Sequence, residues 1–291
     1  NLLLYCCVLQ KCESSLWNVI KQDPELRDKF IPDIRMFVHN GSISMSEWNR
    51  LSHFNNPFGF MNYSHDGKRT STRPKNPLLP PKPGRDCISC AVVGAGGVLW
   101  KSRKGREIDS HDYVFRVNGA ATKGFEEDVG NRTDVYVHTY HSITSSAYLL
   151  KKYNYTGAPR DEGIKYVLIP EAMRDYKWMT GLYKKERAHD GRRPWTYYSS
   201  PFDETRFYVL HMDFLRYARN RFLMSPSLNG SKWAIVRPTN GAFTMFLALQ
   251  LCDKVTDTSV IFYINHNYNM ERDLWKTLHE LKVINMYQGE P

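Results

Sequence analysis

The chain reads as an α/β protein built on a mostly parallel sheet flanked by helices. Three observations carry that expectation. Short, fully apolar runs recur from Cys87 onward and alternate with segments of helical period. The first of these runs ends in a Gly-Ala-Gly-Gly turn. No run of 18 or more apolar residues interrupts the pattern, so nothing in the sequence spans a bilayer as a helix.

The elements follow in order. Residues 1–65 mix helix and loop, with "SEWNRL" a helix start in which Ser46 caps and Trp48 packs. Residues 66–86, "DGKRTSTRPKNPLLPPKPGRD", are proline-rich and basic, the composition of a linker or a surface-hugging loop. The division expected is an N-terminal arm and linker over 1–86, packed on a single structural unit over 87–291. "CAVVG", "YVFRV", "DVYVHT" and "KYVLIPEA" are short buried strands of the parallel-sheet kind. "DFLRYARNRFLM" places Phe214, Leu215, Tyr217, Phe222 and Leu223 on one helical face. "GAFTMFLALQLCDKV" is apolar on all sides and reads as a buried helix. "VIFYIN" is a strand and "ERDLWKTLHELKV" a closing amphipathic helix.

With 40 Lys and Arg against 30 Asp and Glu, the net charge is +10, which suits anionic partners. The charge is dispersed; "RTSTRPK" and "YKKERAHDGRRP" are its densest patches, and neither is a basic run interleaved with aromatics. A nucleic-acid face is therefore not expected. The six cysteines comprise Cys6 and Cys7, Cys12, Cys87 and Cys90, and Cys252. Cys87 and Cys90 have C-x-x-C spacing, but no second such pair or histidine pair completes a zinc site. Five sequons, at Asn40, Asn62, Asn131, Asn154 and Asn229, point to the secretory pathway, where disulfides persist.

The glycine turn fails two standard phosphate codes. A dinucleotide fingerprint wants Gly or Ala where Leu99 stands, and no Gly-Lys-Ser/Thr follows for a P-loop. What remains is that glycines after a strand let backbone N–H groups approach an anion. A tight turn with no ligand is the alternative on this stretch alone.

Longer stretches decide between these. Cys90 to Thr133, "CAVVGAGGVLWKSRKGREIDSHDYVFRVNGAATKGFEEDVGNRT", resembles the large sialyl motif of animal sialyltransferases. Arg237 to Val255, "RPTNGAFTMFLALQLCDKV", resembles their small motif. "HNYNME", His266 to Glu271, matches their very small motif, a histidine followed five positions later by glutamate. "SEWNRLSHFNNPFGFM", "RDYKWM", "HMDFLRYARNRFL" and "IFYINH" resemble the branch that attaches sialic acid to O-6 of N-acetylgalactosamine in O-glycans. The resemblance covers about Cys12 to Gln288.

It implies a GT-A-like α/β fold and a metal-free reaction with CMP-sialic acid as donor. The acceptor implied is an N-acetylgalactosamine-Ser/Thr glycoprotein, and no nucleic acid or cofactor takes part. The place implied is the Golgi lumen, with the parent protein anchored by an upstream membrane segment. Backbone amides at Ala95, Gly96 and Gly97 would hold the nucleotide, and Asn118 would contact CMP through an amide that both donates and accepts. Thr239, Asn240 and Gly241 open the small-motif helix, where amides and dipole favour the donor's carboxylate or phosphate; read without the resemblance, Thr239 is an ordinary N-cap. His266 would be the general base for O-6, since an imidazole with an ordinary pKa near ~6.5 takes a proton at neutral pH. Glu271 would be structural or substrate-orienting, for instance capping the last helix. The family pairs Cys90 with Cys252, and Cys87 would pair with Cys12, leaving Cys6 and Cys7 over.

Two departures stand out. Ala95 replaces an asparagine common in the branch, so backbone contacts must suffice there. After Val255, only Thr256 to Ser259 precede Val260, where the family has a strand and a third sialyl motif. Either the deletion is real, and a central strand is then expected to be missing, or a stretch has been left out and its flanks joined in numbering. The alternative function that follows is a sialyltransferase-fold protein that binds nucleotide or glycan without turnover.

Overall fold

The computed structural model describes residues 12–39, 44–63, 76–153, 155–231, 233–258 and 266–288. Its frame is a seven-stranded sheet: β1 (Ser89–Val93), β2 (Tyr113–Val117), β3 (Val135–His138), β4 (Lys165–Leu168), β5 (Phe207–Val209), β6 (Lys254–Asp257) and β7 (Asn285–Met286). The strand order is β5-β4-β3-β2-β1-β6-β7, and every pairing is parallel. Parallel strands need both faces covered, which is why β2 and β3 are buried at every position.

Ten α-helices surround this sheet among the described residues: α1 (Leu16–Gln22), α2 (Pro24–Lys29), α3 (Met45–Leu51), α4 (Gly105–Asp109), α5 (Glu126–Val129), α6 (Tyr140–Leu149), α7 (Met173–Lys184), α8 (Met212–Phe222), α9 (Asn240–Leu251) and α10 (Tyr268–Glu280). Alternation along β3 and β4 separates two cores. Val135, Val137 and Val167 face the core that holds α1, α8 and α9; Tyr136, Tyr166 and Leu168 face the one that holds Ile143 of α6 and Trp178 of α7. α9 is apolar all round and is buried from Ala242 to Leu249, as its composition predicts.

Two disulfides staple this frame. Cys12–Cys87 ties the N-terminal segment to the approach of β1, and Cys90–Cys252 ties β1 to the C-cap of α9. Leu16, Ile20, Leu26 and Phe30 of the N-terminal segment belong to the same core as β1 and α9.

The structure corrects three sequence expectations. The central strand is present: Lys254 and Val255, read above as the tail of a helix, form β6 with Thr256 and Asp257. Cys252 is the C-cap of α9, and Lys254 to Asp257 pair with β1 on one side and, through Thr256 and Asp257, with β7 on the other; two of the four residues come from before the short Thr256–Ser259 join. Ser44, not Ser46, caps α3; its hydroxyl accepts from the Glu47 N–H at 3.2 Å, while Ser46 lies inside the first turn. Asn267, not Glu271, caps α10, its side chain accepting from the Met270 N–H. The strand expected over 260–265, Cys6 and Cys7, and the sequons at Asn40 and Asn154 lie outside the described residues. Asn62, Asn131 and Asn229 are exposed.

Candidate active site

β1 pairs with β2 on one side and with β6 on the other, so the connections run in opposite directions from it. Sites in parallel sheets gather at the carboxyl ends of strands flanking such a reversal. There the structure has a cavity of about 1180 Å³. Ala95, Gly96, Gly97, Asn118, Thr239, Asn240, Gly241, His266 and Glu271 all line it, although the chain between the first and last of them runs to 176 positions (271 − 95).

The floor is the turn after β1. Gly97 opens a short 3₁₀ turn ending at Leu99. A Cβ on Gly97 would meet nothing within 4 Å, so what its missing side chain leaves open is cavity. Leu99, which spoils the dinucleotide fingerprint, is 1% exposed and packs with Ala91, Val93, Ile108 and Val114. A buried leucine there plugs a small core where a dinucleotide fold would bring helix against strand.

Asn118 follows β2 in the left-handed region, at φ +57°, a conformation asparagine tolerates better than most residues. Its carbonyl accepts from the Tyr136 hydroxyl at 2.6 Å, and its Oδ1 accepts from Asn240 Nδ2 at 2.8 Å. The turn after β2 and the first residue of α9 are thereby fixed to each other.

Thr239 caps α9, accepting from the Ala242 N–H at 2.9 Å. Its own N–H and hydroxyl donate to the two oxygens of Glu271, at 2.7 and 2.6 Å. Glu271 is 6% exposed. Burial pushes its pKa up to about 7 against the pull of the two Thr239 donors, and Asp257 adds to the rise.

His266 Nδ1 lies 2.8 Å from the Arg237 carbonyl. A carbonyl only accepts, so Nδ1 carries the proton and Nε2 keeps its lone pair. Burial lowers the pKa of His266 and the Arg237 charge adds to that, so the neutral ring is favoured; the carbonyl bond works the other way.

The cavity also holds residues to which the sequence assigned no role. Glu171, Arg174, His141 and Arg237 line it. Glu171 belongs to the β4–α7 corner and Arg174 opens the "RDYKWM" stretch, to which no site role was given; the fold brings both to the site. Among the described residues, Glu47, His211 and Asp213 bring three metal-ligating atoms within 4.8 Å of one another. Arg50 and Arg216 already bind these carboxylates, and none of the three lines the cavity. No helix among the described residues is long and apolar enough to cross a membrane.

A helix N-terminus and a neutral imidazole lining one cavity suit an enzyme that moves a group from an anionic nucleotide. The chain belongs to glycosyltransferase family 29 (sialyltransferase), whose family model matches residues 37–258. It is 40% identical to mouse alpha-N-acetylgalactosaminide alpha-2,6-sialyltransferase 1 over 95% of this chain and 59% of that protein. Against the human protein of the same name the identity is 40%, over 96% and 51%. Mouse alpha-N-acetylgalactosaminide alpha-2,6-sialyltransferase 2 is 33% identical over 95% of this chain and 83% of its own length. The chain thus spans about half the length of the first group of curated relatives. Its fold matches a crystal structure of a mammalian sialyltransferase, with a TM-score of 0.65 at 19% identity over 96% of this chain and 98% of that one. A second crystal structure of a mammalian sialyltransferase, in complex with Gal-beta-1-3GalNAc-ortho-nitrophenol, matches equally well.

Proposed function

We propose that the chain transfers sialic acid from CMP-sialic acid to O-6 of N-acetylgalactosamine on mucin-type, O-glycosylated glycoproteins. One observation supports this above the others: residues from three separate sequence motifs line a single cavity.

In this reading the nucleotide lies over the Ala95–Gly97 turn, with the Asn118 NH2 group as a donor, since Asn118 Oδ1 is already engaged by Asn240. The open amides at Asn240 and Gly241 meet the donor's phosphate or carboxylate. His266 Nε2 takes the proton from the acceptor O-6 as that oxygen attacks the anomeric carbon. The bond to the phosphate oxygen breaks, CMP leaves with the electron pair, and the configuration inverts. Negative charge grows on the phosphate and positive charge on the sugar ring, so dipoles already aimed at the phosphate favour the transition state. The reaction calls on no metal or cofactor. Glu271 acts through Thr239, as an orienting group for the helix end.

Residues 1–86 serve as arm and linker to a catalytic unit over 87–291. The chain works in the Golgi lumen as part of a protein anchored by an upstream membrane segment. Exposed sequons at Asn62, Asn131 and Asn229 and the two disulfides support that compartment. The non-catalytic alternative rested on the third sialyl motif missing after Val255; the 40% identity to named transferases over 95% of this chain favours turnover over it.

The test is transfer from CMP-sialic acid to a desialylated mucin, with the linkage read by mass spectrometry of the released glycans. A 2,6-linked product on N-acetylgalactosamine is expected. No product from a chain that binds CMP tightly would overturn the enzyme reading.

A further inference from the structure

The ring that the mechanism needs is oriented by one main-chain carbonyl. His266 Nδ1 donates to the Arg237 oxygen at 2.8 Å, and the ring meets Tyr268 edge-on with centroids 5.7 Å apart. Arg237 lies two residues before the cap of α9, in a stretch with no regular secondary structure. Something must hold that stretch if the carbonyl is to keep its direction.

Glu171 is placed to do so. Its carboxylate Oε1 lies 2.9 Å from Arg237 Nη2. Glu171 is 6% exposed and sits just beyond β4, with its N–H donating to the Ile169 carbonyl at 3.0 Å. Arg174 approaches the other carboxylate oxygen at 3.7 Å. Arg237 Nε is buried with no partner among the described residues, so its guanidinium depends on the Glu171 contact for orientation. Glu171 is buried and the Arg237 side chain only 23% exposed, so removing one member leaves the other largely desolvated and without its charge partner.

We propose that Glu171 is a positioning residue for His266: by fixing the Arg237 guanidinium it fixes the main chain whose carbonyl orients the imidazole. This rests on the reading of His266 as the base. Glu171 touches neither reacting atom in that reading; it acts through one arginine.

The charges have a consequence that a purely structural role would lack. Arg237 is the charged group that acts on His266, while Glu271 and Arg272 of α10 line the same cavity. With Glu171 neutralised, the Arg237 charge is no longer offset, and it disfavours the imidazolium further. A loosened carbonyl bond acts in the same direction, because that bond favours the imidazolium. The acid limb of the rate profile then moves to lower pH even as the rate falls.

The experiment compares Glu171→Gln, Arg237→Met, the double variant and His266→Gln in the full 291-residue chain, with CMP affinity measured by calorimetry as the control for an intact cavity. Glu171→Gln is expected to lower kcat by about tenfold or more, as misplacement of a reacting group does. Its acid limb moves down, KM for the donor stays close to the parent's, and CMP binds as before. Arg237→Met keeps the carbonyl but loses the tether, and lowers kcat similarly. The double variant is expected to be no worse than Glu171→Gln, since the two changes break one linkage. Should Glu171→Gln not fold, Arg237→Met carries the same expectation for kcat. An inactive His266→Gln beside a Glu171→Gln with parental kcat and an unmoved limb overturns the positioning role alone. Full activity in His266→Gln overturns the base on which it rests.

Discussion

Glu271 binds Thr239 twice, taking the backbone N–H on one carboxylate oxygen and the hydroxyl on the other. The hydroxyl in turn accepts from Ala242, so one carboxylate at the start of α10 sets the first turn of α9. The first turn of α9 is where the donor's anionic group is proposed to sit.

Replacing Glu271 with glutamine is expected to loosen that turn, because an amide turns its NH2 toward a donor where the carboxylate accepts. A buried donor left unmet costs about 1–3 kcal/mol, and CMP affinity is expected to fall with it. The pH dependence has a definite sign. In the folded chain Glu271 titrates near 7, above its ordinary 4.5, so the folded state holds this proton more tightly than the unfolded one. Its contribution to stability is therefore lost as pH rises from about 4.5 to about 7. Urea unfolding of parent and Glu271→Gln at about pH 5 and about pH 8 checks this: the variant should vary less between them. Equal variation would count against the assignment.

His266 gives a second pH signature. Burial and the Arg237 charge hold its pKa below the ordinary value, so the base stays neutral into mildly acidic solution. The acid limb of kcat should fall below about 6.5. His266→Ala should abolish turnover and leave CMP affinity in place. A limb above the ordinary histidine value, or near-parental turnover in the variant, would argue for another base.

Asn118 separates side-chain from backbone effects. Both Asn118→Ala and Asn118→Gly remove the amide and should weaken CMP binding by roughly tenfold. Only the alanine must also hold a left-handed φ of +57°, so it alone should lose about 1–2 kcal/mol of stability through the backbone. Thermal unfolding and CMP calorimetry on the pair give the comparison, and equal stabilities would refute the backbone half.

The Cys90–Cys252 bridge spans 162 positions. In the chain-entropy model, replacing both cysteines with alanine should cost about 5 kcal/mol. Denaturant unfolding of the double variant reads this; a loss below about 1 kcal/mol would mean that the core between β1 and α9 holds without the bridge.

Much of the architecture was legible because parallel strands leave an apolar signature. "CAVV", "YVFRV", "VYVH" and "KYVL" are strands in the structure as in the reading. β5 and β7 are three and two residues long and sit at the sheet's ends, too short to show a period. β6 was hidden by the apolar helix that runs into it. α6 opens on Thr139 with Ser142 completing the reciprocal cap, where the usual sequence signal is Glu or Gln. α7 opens on Ala172, which offers no side-chain cap at all. The site residues were legible where motifs carried them. The Glu171–Arg237–His266 linkage was not, because its members come from three parts of the chain and meet only when β4 and α9 share a sheet edge.

The strand order also fixes a sequence of events during synthesis. β1 to β5 lie side by side in the order in which a ribosome releases them, so five of the seven strands can assemble as they emerge. β6 and β7 must then add to the opposite edge of β1, some 160 residues after that strand appeared. Until they do, Cys90 waits with a free thiol while Cys12 and Cys87 are both already outside the tunnel. The nascent chain therefore has to hold Cys90 out of pairing while Cys6, Cys7, Cys12 and Cys87 have emerged with it, and the base and the helix end that complete the cavity are the last parts delivered.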